Sequence, residues 1–260
     1  MFALLAAIQF LTRIPIPLRI DYESKLLARS TLFFPFVGLL IGLMVAFVAY
    51  LSALFVPSYI VPVIVVGTWV ALTGALHFDG LLDTADGLLS HRSREQMLEI
   101  MKDSRIGAMG TMVALFYLLL KILFVFAIFE QQSGWLPYLL IALIPIYSRW
   151  TMTAAIVFWP YARTGNGLGS LYQATNIRHF VISSLMMLIC SLLPWFAVAQ
   201  NVDFNLNSWL LMVSVAVFVT VIFSSLCVRR LGGMTGDTYG ALNELTELAI
   251  LCAIVIAGRV

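Results

Sequence analysis

Seven apolar runs constrain this chain more than any other feature. They cover about residues 31–55, 58–76, 110–129, 135–158, 180–200, 207–228 and 241–258. Each approaches the roughly 20 residues an α-helix needs to cross a bilayer's hydrocarbon core. None alternates like a barrel strand, and an open strand would leave its backbone unpaired in lipid. Composition agrees: the chain is 62% hydrophobic and 11% charged, whereas soluble domains carry about 25% charged residues. The expected fold is therefore all-α: a polytopic membrane bundle of about six or seven spanning helices, in a single domain over residues 1–260. The lipid bilayer is its first partner. A net charge of +2 is too small to suggest nucleic acid.

The N-terminal stretch MFALLAAIQFLTRIPIPLRI has no basic segment ahead of its apolar part and no small-residue cleavage site. Pro15 and Pro17 break it before it spans a membrane, so it reads as an interfacial or re-entrant helix. Cys190, Cys227 and Cys252 lie in apolar runs without metal-ligand spacing and read as packing residues.

The connections between runs are of two kinds. Residues 56–57, 130–134 and 201–206 contain no Lys or Arg, and Glu130 and Asp203 are their only charges. The alternating connections carry Arg13, Arg19, Lys25 and Arg29, then Arg92, Arg94, Lys102 and Arg105, then Arg163 and Arg178, then Arg229 and Arg230. By the positive-inside rule, residues 1–30, 77–109, 159–179 and 229–240 face the cytoplasm.

The segment LHFDGLLDTADGLLSHRSREQ, residues 76–96, places three aspartates directly after an apolar run. Asp79, Asp83 and Asp86 stand at i, i+4 and i+7, which puts them on one helical face, with Gly80 and Gly87 nearby. Adjacent carboxylates repel one another, and a divalent cation removes the conflict. Mg²⁺ favours oxygen ligands and commonly combines one or two carboxylates with substrate phosphates. The stripe reads as a Mg²⁺–diphosphate site at the membrane surface. His77 precedes it, in a supporting or structural role.

Residues 92–110, RSREQMLEIMKDSRIGAMG, form an amphipathic pattern with Met97, Leu98, Ile100 and Met101 on the apolar side. Lys102, Asp103 and Arg105 then precede Gly107 and Gly110, a setting for phosphate contacts. A second polar cluster, RRLGGMTGDTYGALNELTEL, contains Thr235 and Asp237, with Glu244 and Glu247 at i, i+3. Acids inside an apolar helix are functional candidates, here for a second metal, sugar hydroxyls or a base. Arg149 lies inside an apolar run and should meet an anion in the bundle interior. Lys121 is the weaker candidate because it can snorkel. Arg163, in YARTGNGLG, is a phosphate contact or part of a plain turn.

Taken in order, FLTRIPIP, FFPFVGLLIG, HFDGLLDTADGL, MKDSRIGAMG, YAR…GLG and GGMTGDTYGALNELTEL resemble the cobalamin synthase family over about residues 9–250. The resemblance implies a bacterial cytoplasmic-membrane enzyme that uses Mg²⁺. It would join adenosylcobinamide-GDP to α-ribazole, or α-ribazole 5′-phosphate, releasing GMP in coenzyme B12 assembly. Asp79, Asp83 and Asp86 would hold metal, and Arg105 would stabilise the transferring phosphoryl group. Lys102, Arg149, Arg163, Thr235, Asp237, Glu244 and Glu247 would contact substrate. The general base would be Asp86 or Asp103, and other enzymes of the pathway are candidate partners.

Two rivals fit less well. The segment DGLLDT lacks the Ala-Arg pair of CDP-alcohol phosphotransferases. A transporter should gather its polar residues near the midplane, whereas these crowd toward one face.

Overall fold

The computed structural model describes residues 2–18, 20–21, 23–163, 168–198 and 206–258. Arg19, Asp203, the 201–205 connection and residues 164–167 of the YARTGNGLG loop lie outside the described residues. Among the described residues the fold is helical, without a β-strand. The helices are α1 (Phe2–Leu11), α2 (Ser24–Ser30), α3 (Phe34–Phe55), α4 (Val61–Thr73), α5 (Leu76–Leu88), α6 (Arg94–Ile100), α7 (Ala108–Gln131), α8 (Leu136–Phe158), α9 (Ile177–Val198), α10 (Leu206–Leu231) and α11 (Gly236–Ala257).

Among the described residues, five spans are long and apolar enough to cross a membrane: α2–α3 together, α7, α8, α10 and α11. The protein is a multi-pass membrane protein. The expectation of one continuous helix over 58–76 is corrected. The chain bends by 91° between α4 and α5, so the two form at most one broken span. Gly74 and Ala75, both left-handed at φ 60° and 58°, make the turn. The Arg13 amide donates to Leu72 O at 2.8 Å beside it. Hydropathy is blind to such a turn because the residues on both sides of it are apolar.

Helix α8 is the axis of the bundle. Its residues are buried on every face from Leu139 to Ala155, as expected for an interior helix that is apolar all round. Helix α3 packs most extensively against it. Gly38 and Gly42 allow that approach: a Cβ on Gly38 would lie 2.8 Å from Ile146 Cα, and one on Gly42 2.9 Å from Ala142 Cα. Small residues four apart let membrane helices come close enough for dispersion contacts to accumulate. Outer faces of α7 and α10 expose Leu115, Phe116, Phe218 and Ile222, a surface suited to lipid.

The interior also holds charge. Lys121 on α7 places Nζ 2.6 Å from Glu247 Oε2 and 3.3 Å from Glu244 Oε2, both on α11. Arg149 on α8 pairs with Glu247 Oε1. Ser148 Oγ and Trp69 Nε1 donate to the same oxygen at 3.1 and 3.2 Å. Tyr117 donates to Glu244 and accepts from Lys121. Four helices thus meet at one acid pair. This corrects two expectations. Lys121 does not snorkel; its side chain is fully buried. Nor does all the charge gather at one face, because these groups sit well within their helices.

Two predictions follow from this packing. Glu247→Leu leaves two buried cations facing one carboxylate and should destabilise the protein by about 3–5 kcal/mol. Gly42→Leu forces α3 off α8 and should cost about 1–3 kcal/mol. Denaturant unfolding in detergent micelles checks both, and wild-type midpoints would refute them.

Candidate active site

The starts of α3, α5 and α11 and the end of α8 meet around one cavity, and the end of α5 meets the start of α7. A short parallel bridge joins Tyr161, after α8, to Met234, after α10. Ala162 N donates to Met234 O, and Met234 N to Pro160 O, each at 2.7 Å. The bridge carries Arg163 to Asp237, whose Oδ2 accepts from Arg163 Nη2 at 2.7 Å. Thr235 caps α11: its hydroxyl accepts from Thr238 N at 3.2 Å, and the Thr238 hydroxyl accepts from Thr235 N at 2.7 Å. The expected substrate contact at Thr235 is thus a buried helix cap, its hydroxyl used to satisfy backbone.

Helix α5 lies along α11 because both are notched by glycine. A Cβ on Gly80 would come within 2.6 Å of Asp237 O, and one on Gly240 within 3.1 Å of His77 Cα. This close crossing sets Asp79 beside Asp237. Between α5, α8, α11 and α1 lies a cavity of about 260 Å³, with Asp79, Asp237 and Arg163 on its polar side. Phe10, Phe34, Met152, Ile156 and Tyr172 line its apolar side.

The three aspartates share α5 but not one environment. Asp86 Oδ2 accepts from Gly107 N at 2.7 Å and Oδ1 from Gly110 N at 2.8 Å. Asp86 therefore caps α7 from a neighbouring helix, with both oxygens committed to amides that lack helical partners. The glycines are required there: a Cβ on Gly107 or Gly110 would collide with the Asp86 carboxylate. Asp83 is half-buried among the charges of Asp79, Asp237 and Asp86, opposed by Arg163. Among the described residues, no three His, Cys, Asp or Glu side chains converge tightly enough to cage a metal alone. The donors nonetheless fit a hard cation: they are carboxylate oxygens with an excess of negative charge beside a cavity.

The other predicted residues divide by location. Lys102 and Arg105 are exposed. Arg105 forms a surface pair with Asp103 at 2.7 Å, its side chain 87% exposed. Hydrogen bonds from Arg105 hold the Asp103 carboxyl down at about 2, so Asp103 is a poor proton acceptor. Arg149, Glu244 and Glu247 belong to the buried ion cluster, not to the cavity wall. Helix α6 has the expected amphipathic character, but Met97 and Met101 pack against Ala162 and Leu231 inside the protein. Sequence reasoning assigned no role to the aromatic wall residues Phe10, Phe34 and Tyr161. They do fall within FLTRIPIP, FFPFVGLLIG and YAR, which was the available signal.

Comparison with known proteins agrees with the motifs. The family model described as Cobalamin-5-phosphate synthase matches residues 3–255. The adenosylcobinamide-GDP ribazoletransferase of Thermoanaerobacter pseudethanolicus is 39% identical, covering 98% of this chain and 97% of its own. Proteins of the same name from Desulforamulus reducens and Listeria monocytogenes are 37% and 35% identical, each over 98% of this chain and 96% and 98% of their own. No solved structure matches the chain. With a family model spanning nearly its whole length and relatives this similar, the chain belongs to the cobalamin-5-phosphate synthase family of enzymes.

Proposed function

We propose that this protein is a Mg²⁺-dependent adenosylcobinamide-GDP ribazoletransferase of the bacterial cytoplasmic membrane, with its active site facing the cytoplasm. One observation carries this reading: Asp79 and Asp237 line a cavity together with Arg163, and Asp83 stands within the field of all three. The basic connections support the orientation.

The acceptor is α-ribazole or its 5′-phosphate. Its 3′-hydroxyl oxygen bonds to the phosphorus nearer the corrinoid. The P–O bond to the second phosphate breaks, and GMP leaves with that electron pair. Asp79 and Asp83 would hold Mg²⁺, which supplies charge neutralisation across the diphosphate. Arg163 offers donors to phosphate oxygens, and its bond to Asp237 keeps both groups oriented. Exposed Lys102 and Arg105 sit close to the Gly107 amide that Asp86 holds, where a diphosphate on the cytoplasmic side can meet them.

The general base is reassigned. Asp86 has both oxygens on backbone amides, and Asp103 is held ionised by Arg105. Asp237 binds Arg163 through Oδ2, which leaves Oδ1 for the hydroxyl proton. The buried Arg149–Glu247–Lys121 cluster acts at a distance, by positioning α8, α7 and α11.

The test uses purified protein in liposomes with adenosylcobinamide-GDP, α-ribazole 5′-phosphate and Mg²⁺, following GMP and the corrinoid product by chromatography. Both products should form, and EDTA should abolish them. Asp79→Asn and Asp83→Asn should abolish turnover in folded protein. Asp237→Asn should lower kcat by about 10²–10⁴-fold. Metal-independent turnover, or wild-type rates in the α5 variants, would overturn the metal assignment.

A further inference from the structure

Two phenols beside the charged groups of the cavity have no bonding partner. Tyr161 follows α8, and Tyr239 lies in the first turn of α11, two residues after Asp237. Both line the cavity that holds Asp79, Asp237 and Arg163. Both also line a second cavity, of about 270 Å³, bounded beyond them by Trp159, Gln173 and Thr175. The pair thus stands where two spaces share a wall. Tyr161 lies within the field of Arg163 and Asp237, and Tyr239 within that of Tyr161. Tyr239 is only 5% exposed. Neither hydroxyl has a hydrogen-bond partner among the described residues, yet neither is sealed off by protein. A buried hydroxyl without a partner is costly, and phenylalanine would fill the same space without that cost. Both rings are also held firmly. The bridge to Met234 fixes the backbone on either side of Tyr161. Its hydroxyl passes so close over Gly169 that a Cβ there would lie 2.8 Å from it. Tyr239 is set by the capped start of α11. Two fixed, unbonded donors open to a cavity are positioned for a ligand that accepts.

We propose that Tyr161 and Tyr239 are catalytic donors, whose phenolic O–H groups bond oxygens of the substrate's diphosphate beside Asp79 and Asp237. The assignment rests on the transferase reading above, which supplies the diphosphate. Charge explains why the donors here are neutral. Among the described residues, the charged groups on this wall are two carboxylates and one guanidinium, and Arg163 already bonds Asp237. A transferring phosphoryl group spreads its charge over three outer oxygens. A planar guanidinium meets at most two of them at once. A further lysine or arginine would pair with Asp79 and compete with a metal ion, whereas a phenol donates without adding charge. Burial holds the Tyr161 phenol above its ordinary value, so it keeps the proton it donates. As the bond to the leaving phosphate breaks and charge grows on these oxygens, hydrogen bonds from fixed donors strengthen without rearrangement. No proton leaves either tyrosine.

The test pairs binding with turnover. The binding probe is inorganic pyrophosphate with Mg²⁺, which carries the diphosphate and nothing else of the substrate. Isothermal titration into wild-type protein in micelles should show saturable binding. Tyr161→Phe and Tyr239→Phe should each weaken it about tenfold, the loss of one hydrogen bond to a charged group. In turnover each variant should lower kcat by about 10²-fold and leave the KM for α-ribazole unchanged, as a distorted fold would not. Gly169→Ala, which displaces the Tyr161 hydroxyl without removing it, should reproduce Tyr161→Phe. Two acceptors distinguish the two sources of phosphate: the loss should be equal with α-ribazole and with α-ribazole 5′-phosphate, because both reactions use the diphosphate. Wild-type affinity and turnover in both Phe variants, no pyrophosphate binding by wild type, or a loss confined to the phosphorylated acceptor would each overturn the inference. Tyrosine-dependent pyrophosphate binding without GMP release would leave the donor pair standing and sink the transferase reading instead.

Discussion

Lys121, Arg149, Glu244 and Glu247 lie inside helices that are otherwise apolar, where an unpaired charge is costly enough to prevent folding. Each therefore depends on the others. Glu247 takes Arg149 and Ser148 from α8 on one oxygen, with Trp69 of α4, and Lys121 of α7 on the other. The register of four helices follows from that one carboxylate, because sliding any of them by a turn would break its bond. Lys121 also stands over the Trp69 ring at 4.3 Å, a cation–π contact that further ties α7 to α4. His77 lies within the field of Arg149, Glu247 and Lys121, so the cluster reaches the cavity wall through α5.

The bend between α4 and α5 turns this rigid interior into a site. A straight helix over 58–88 would carry the aspartates away from the bundle. The left-handed pair Gly74–Ala75 instead lays α5 along α11, and Gly80 and Gly240 let the two backbones nearly touch. Asp79 meets Asp237 for that reason, although they are far apart in sequence. Asp86 anchors the other end of α5 by capping α7. The stripe of acids thus has two jobs: Asp79 lines the cavity, and Asp86 holds the junction.

Much of this was legible in advance. The membrane-bundle class, the alternation of charged connections and the grouping of acids all follow from short-range patterns in one dimension. The same patterns misled where two dimensions were needed. Continuous hydropathy over 58–76 concealed a right-angle turn. The i, i+4, i+7 spacing treated three aspartates as equals because it could not see the amides of Gly107 and Gly110. Thr235 looked like a substrate contact because a capping threonine and a binding threonine read the same in a string. Arg149 was rightly expected to meet an anion inside the bundle. That the anion is Glu247, shared with Lys121, depends on which faces of α7, α8 and α11 meet.

The sequence by itself determined that this chain is a helical membrane protein, which segments are apolar enough to cross, which ends carry basic residues, and which family it joins. Those properties are sums over local composition, spacing and motif, and they hold for any packing of the helices. Only the tertiary structure decided which carboxylates face the cavity, which hold a helix end, and which stay buried in ion pairs. It also decided that His77 is buried on α5, with neither ring nitrogen bonded among the described residues. Partner choice is a matter of distance between helices remote in the chain, and a distance of that kind exists only once the bundle has closed.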